Sequence, residues 1–135
     1  ECSSSDIVTS SAKDVDQLNE ILTANADIRR LIIIGHSGLN GVYVGAGRRP
    51  RTNISNQPGT NNVSPDGLNW NNLKGDAVIE IWGCNAGIGN DSVAKQIARA
   101  TKREVWAFDN VINFDSNGKP FVRFFRPGGY TRTKP

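Results

Sequence analysis

Two side chains in this sequence can do nucleophilic chemistry as a pair, His36 and Cys84. Each follows a hydrophobic run and a glycine: Leu31-Ile32-Ile33-Ile34-Gly35-His36 and Ile79-Glu80-Ile81-Trp82-Gly83-Cys84. His36 is the only histidine, and the only other cysteine is Cys2 in the polar leader Glu1 to Asp6. An imidazole beside a thiol takes its proton, or holds the thiolate as an ion pair, and later protonates the leaving group. An oxyanion on the attacked carbonyl would be met by backbone amides, for which Ser37 and Cys84 are the candidates. Each such donor is typically worth about 3 kcal/mol of barrier. Asn85 is placed to brace the loop or to bond substrate. Asp109 is placed to receive a basic substrate side chain or to cap its turn with Asn110.

For thiol and imidazole to meet, the two runs must be adjacent parallel strands. Their carboxyl ends would open at one edge of a sheet, where open α/β sheets carry their reactive groups. The run from Leu31 to Ile34 lacks polar alternation, which predicts a strand buried on both faces. After Cys84 a turn bearing Gly87 leads into a helix over 90–100, with Val93, Ile97 and Ala100 on one face. The N–H groups at Asn90 to Ser92 would favour negative charge nearby. Ser11 with Asp14 resembles a capping pair, ahead of a helix carrying Val15, Leu18, Ile21 and Leu22. Glu104 to Asp109 reads as a strand. Val111–Phe114 and Phe121–Phe125 flank Asp115-Ser116-Asn117-Gly118, a hairpin signal. Ile7-Val8-Thr9 is a short strand candidate, and 41–45 an edge strand or half a hairpin.

Residues 46–69, rich in Asn, Pro, Gly and Arg, read as one long polar loop. Leu68, Trp70 and Leu73 suggest a helical turn over the sheet edge. Residues 1–6 and 127–135 read as flexible ends. The order predicts a single α/β domain over 1–135. Its expected form is a three-layer sandwich with a mostly parallel sheet of about four strands plus a C-terminal hairpin.

The chain's 135 residues suit one domain. Sixteen Lys and Arg against thirteen Asp and Glu give +3, a mild excess that argues against nucleic acid as partner. No run approaches the eighteen apolar residues of a membrane span. One His and two distant Cys lack metal-ligand spacing, and no cofactor is called for. Gly35-His36-Ser37-Gly38-Leu39 departs from a nucleophile elbow at Leu39. The glycines at 83, 87 and 89 lack the Lys-Ser or Lys-Thr of a phosphate loop. The chain has no Met and begins Glu1-Cys2, which reads as an excised piece of something larger.

Residues 31–38 and 79–87 resemble the two signature segments of the caspase-like cysteine peptidases. That group includes clostripain and the self-cleaving domains of large bacterial toxins. The resemblance is strongest to bacterial domains of large surface or secreted proteins, in which Gly-Cys-Asn leads into a helix and a Thr-x-x-x-Val strand. Here the last part is Thr101-Lys102-Arg103-Glu104-Val105. The likeness covers roughly Asp14 to Asp109. It implies a caspase-like fold and a His36–Cys84 dyad with oxyanion amides at Ser37 and Cys84. It also implies a hydrolase, toxin or effector acting on a peptide or amide bond, secreted or delivered within a larger bacterial protein. Peptide or protein substrate, the parent polypeptide and a cognate inhibitor are the expected partners. The family usually has Gly after the His, where this chain has Ser37. The alternative is an inactive caspase-like interaction module. Its basic positions Arg48, Arg49, Arg51, Arg123, Arg126, Arg132 and Lys134 would dock an acidic partner.

Overall fold

Strand β5 (Leu73–Trp82) is the ten-residue axis of the main sheet, seen in a computed structural model that describes residues 7–45, 49–122 and 129–135. It pairs in parallel with β1 (Ile28–Ile34) on one side and with β6 (Glu104–Phe108) on the other. Strand β9 (Tyr130–Thr133) adds antiparallel to β6, giving the order β1-β5-β6-β9. Short strands β2 (Val42–Tyr43), β3 (Asn53–Ile54) and β4 (Asn62–Val63) make a second, small sheet. Strands β7 (Ile112–Phe114) and β8 (Pro120–Val122) form the expected hairpin. The architecture is mixed α/β with a mostly parallel central sheet.

Helix α1 (Val15–Ala24) starts at Asp14, whose carboxylate accepts the Gln17 N–H at 2.8 Å. Gln17 returns the favour to the Lys13 N–H at 2.8 Å. The cap is therefore Asp14 with Gln17, and Ser11 takes no part in it. Helix α2 (Val93–Thr101) starts three residues later than the sequence suggests, at the buried cap Ser92, and ends on Lys102 in the left-handed conformation. Val15, Leu18 and Leu22 of α1 join Val93, Ile97 and Ala98 of α2 in one core cluster. Ile33, Ile79, Ile81, Val105 and Ala107 of the sheet belong to the same cluster.

Side chains alternate across a strand, so Ile34, Glu80, Trp82, Trp106 and Tyr130 lie on the other face. Among the described residues no helix covers that face. The helices thus make two layers with the sheet where three were expected. β1 is an edge strand with one open face rather than a strand buried on both sides, and Ile34 is 61% exposed.

Other expectations also shift. Ile7 and Val8 are exposed and form no strand. The long polar loop carries β3, β4 and a short 3-10 helix, Pro65–Gly67, because Ile54 and Val63 drop into the core. Leu73 opens β5 instead of closing a helical turn. Residues 130–133, read as part of a flexible end, form β9. Cys2, Arg48, Arg123, Phe124, Phe125 and Arg126 lie outside the described residues.

Two buried polar side chains tie these layers together. Gln96, 2% exposed on α2, accepts the Asn56 N–H at 2.7 Å and donates to Asn40 O at 3.1 Å and Asp91 O at 2.9 Å. It thereby ties the small sheet and the turn after His36 to α2. Glu80, 8% exposed, accepts from Arg30 and from the Tyr130 hydroxyl. Burial pushes the Glu80 carboxyl up, but the bonds from Arg30 and Tyr130, the Arg30 charge and Trp82 outweigh it. The net shift is below the usual carboxylate range. Burial and Glu80 together raise the Tyr130 phenol.

Gln96→Leu leaves a buried N–H and two carbonyls without their partner. It should lower unfolding free energy by at least about 2 kcal/mol, read from urea melts. Because the Glu80 carboxyl is held down in the folded chain, its stabilisation is complete above the usual carboxylate range, about pH 4. That stabilisation is lost as pH falls through the lowered value. Thermal midpoints should therefore drop on acidification. Glu80→Gln should lower the neutral midpoint and flatten that drop.

Candidate functional site

The pairing of β1 with β5 fixes the site. Their register matches Ile33 with Ile81 and Ile34 with Trp82. His36 and Cys84 each lie two residues beyond that last pair. The Gly35 N–H donates to Trp82 O at 3.3 Å, so the pairing continues one residue past the strand. The Ser37 hydroxyl then donates to Cys84 O at 2.6 Å. The histidine and cysteine turns are thus joined directly at the carboxyl end of the sheet. Gly83 is required at this crossing, because a Cβ there would lie 2.7 Å from Gly35 O and against the Ser37 side chain.

The turn after His36 folds back on β2. Tyr43 N–H donates to His36 O at 2.8 Å and Gly38 N–H to Gly41 O at 3.0 Å. These bonds flank the Ser37–Val42 bridge, and in such an antiparallel pair the central N–H points away from the partner. Ser37 N–H and Cys84 N–H donate no hydrogen bond among the described residues. Both amides thus lack an acceptor among the described residues, and they lie on joined turns. His36 is exposed, and its ring makes no hydrogen bond among the described residues.

Cys84 is a free, half-buried thiol. Its sulfur faces the start of β7, where the Ile112 N–H lies at 3.5 Å and Ile112 O at 3.9 Å. Thiol and imidazole share a rim without a hydrogen bond between them. The N-terminal N–H groups of α2 are already taken. Val93 donates to Leu39 O, Ala94 to Ala86 O and Lys95 to the Ser92 hydroxyl. The N–H groups expected to favour negative charge, Asn90 to Ser92, precede the helix, and the donor that meets the sulfur is the Ile112 N–H, which no spacing in the sequence announces.

Asn85 adopts a left-handed backbone, φ 58°, and its N–H donates to Asn110 O at 3.0 Å. It braces the cysteine turn against the β6–β7 connection, and its side-chain oxygen is buried with no hydrogen-bond donor. Asp109 stands at the end of β6, and its carboxylate accepts the Gly129 N–H while its own N–H donates to Gly129 O at 3.0 Å. Its carboxylate thus holds the entry to β9. Among the described residues no cluster of three His, Cys, Asp or Glu could hold a metal ion. No helix among them is long and apolar enough to cross a membrane.

Fold and site define an α/β domain with a cysteine turn and a histidine turn on one rim of a mostly parallel sheet. The chain belongs to the family described as a domain of unknown function, DUF8616, whose model matches residues 9–122. No curated protein and no solved structure matches it.

Gly83→Ala should separate the two turns, lowering the thermal midpoint and changing the amide resonances of Ser37 and Cys84. Ser37→Ala removes a single hydrogen bond and should cost only about 1 kcal/mol in a urea melt.

Proposed function

We propose that the domain is a cysteine hydrolase of the caspase-like kind, with Cys84 as nucleophile and His36 as its acid and base. The observation that carries this reading is the in-register parallel pairing of β1 and β5, which brings both turns to one rim. Support also comes from the two amides there that lack an acceptor among the described residues. In the reaction, the Cys84 proton passes to His36 as sulfur bonds to the carbonyl carbon of a peptide or amide. The carbonyl electron pair moves to oxygen, where the N–H groups of Ser37 and Cys84 receive it. Collapse expels the amine, which takes the proton from His36 and leaves a thioester on Cys84. Water then attacks the thioester, giving its proton to His36, and release of the acid returns that proton to the sulfur.

For this geometry to work, the His36 ring must turn toward Cys84, and nothing in the described residues ties it elsewhere. A role as an acidic-partner module draws less support. Arg51 already pairs with Asp16 at 2.8 Å, and Arg132 lies 6.0 Å over the Trp106 ring and 4.0 Å from Glu104.

Alkylation by iodoacetamide tests the dyad directly. Cys84 should react near neutral pH at least about tenfold faster than Cys2, and His36→Ala should abolish the difference. Equal rates at both cysteines, or no effect of His36→Ala, would remove the basis for the hydrolase reading.

A further inference from the structure

A second site lies at the opposite end of the sheet. Cys84 lies two residues past the end of β5, whereas an open cavity of about 620 Å³ sits beside the first residues of β5 and β6. Ten strand residues separate the two ends by about 30 Å. Asn19, Asp66, Asn69, Trp70, Asn71 and Arg103 supply most of its lining.

The state of each group restricts the ligand. Trp70 is pinned, because its indole N–H donates to Pro65 O at 2.8 Å. The ring is half-buried against the core, and the part that lines the cavity is therefore fixed in orientation, with little rotational freedom to lose. Arg103 adds a positive charge but few usable donors. Its guanidinium donates to the backbone carbonyls of Leu73, Lys74, Thr101 and Lys102. It therefore cannot present the two-pronged fork that recognises phosphate or carboxylate. The Asp66 carboxylate accepts no hydrogen bond among the described residues, and it repels anions. Asp66 and Arg103 also offset each other in charge.

What remains available is hydrogen-bonding capacity of the neutral kind. Asn19 uses its oxygen on the Asn69 N–H at 2.6 Å, leaving its side-chain NH2 for a ligand. The Asn71 amide makes no side-chain hydrogen bond among the described residues, so it offers both donors and an acceptor. One fixed indole ring, two available amides and one carboxylate acceptor suit a ligand with an apolar ring face and hydroxyls around its edge. A nucleotide or other phosphate finds no available cation, and a purely apolar ligand would strip water from the amides without replacing it.

We infer that this cavity binds a neutral saccharide, stacked on Trp70 and hydrogen-bonded by Asn19, Asp66 and Asn71. The inference is independent of the chemistry assigned to Cys84.

The test is a titration of the full chain, followed by amide and indole resonances, with cellotetraose, maltotetraose and chitotetraose. At least one should give saturable shifts at Asn19, Trp70 and Asn71 below about 10 mM, a weak but specific affinity. Asp66 and Asn71 are exposed and hold nothing else in place, so Asp66→Ala and Asn71→Ala keep the fold. Each should weaken binding about tenfold, while the alkylation rate of Cys84 stays unchanged. Absence of saturable shifts with all three sugars would overturn the inference. So would undiminished binding in both variants, or saturation of the same resonances by inorganic phosphate or choline.

Discussion

Everything at the rim depends on the parallel pairing of β1 with β5. Parallel neighbours end at the same edge, so two runs that each finish in glycine and a reactive residue deliver those residues side by side. The register sets how well they match. A slip of one residue would turn the His36 side chain to the other face of the sheet. The register is held from both sides. Leu31 and Ile33 pack into the helix-covered core, and Arg30 on the opposite face meets Glu80.

The two faces of the sheet do different work. The core face is apolar and continuous, and burial of its aliphatic side chains provides most of the driving force for folding. The opposite face is polar and aromatic. Tyr130 stacks on Phe108 at 4.6 Å and on Trp106 at 5.4 Å, and its hydroxyl reaches across to Glu80 and Trp82. One tyrosine of β9 thus links three strands. Glu80 stays ionised there because its two bonding partners outweigh its desolvation.

Much of this was legible in the sequence. The hydrophobic runs before Gly35 and Gly83 marked two strands of the sheet and the edge where they open, and Asn117-Gly118 marked the hairpin. Other features were hidden for definable reasons. An uninterrupted aliphatic run does not reveal whether a strand is central or marginal, so β1 read as enclosed. Lys74, Gly75 and Asp76 interrupt β5 and concealed its first half. β9, Tyr-Thr-Arg-Thr, has too little apolar content to stand out, and it forms because β6 offers an edge. The small sheet owes its order to distant partners such as Gln96. The Ile112 N–H beside the sulfur belongs to the backbone, which carries no residue signature.

The hydroxyl of Ser37 on Cys84 O has a mechanical meaning. It rivets the histidine and cysteine turns into one stiff jaw, backed by α2 through Leu39 and Asn40. The opposing jaw is the β7–β8 hairpin, which among the described residues meets the sulfur through the N–H and carbonyl of Ile112. A guest entering the rim would therefore meet two joined turns on one side and the hairpin on the other.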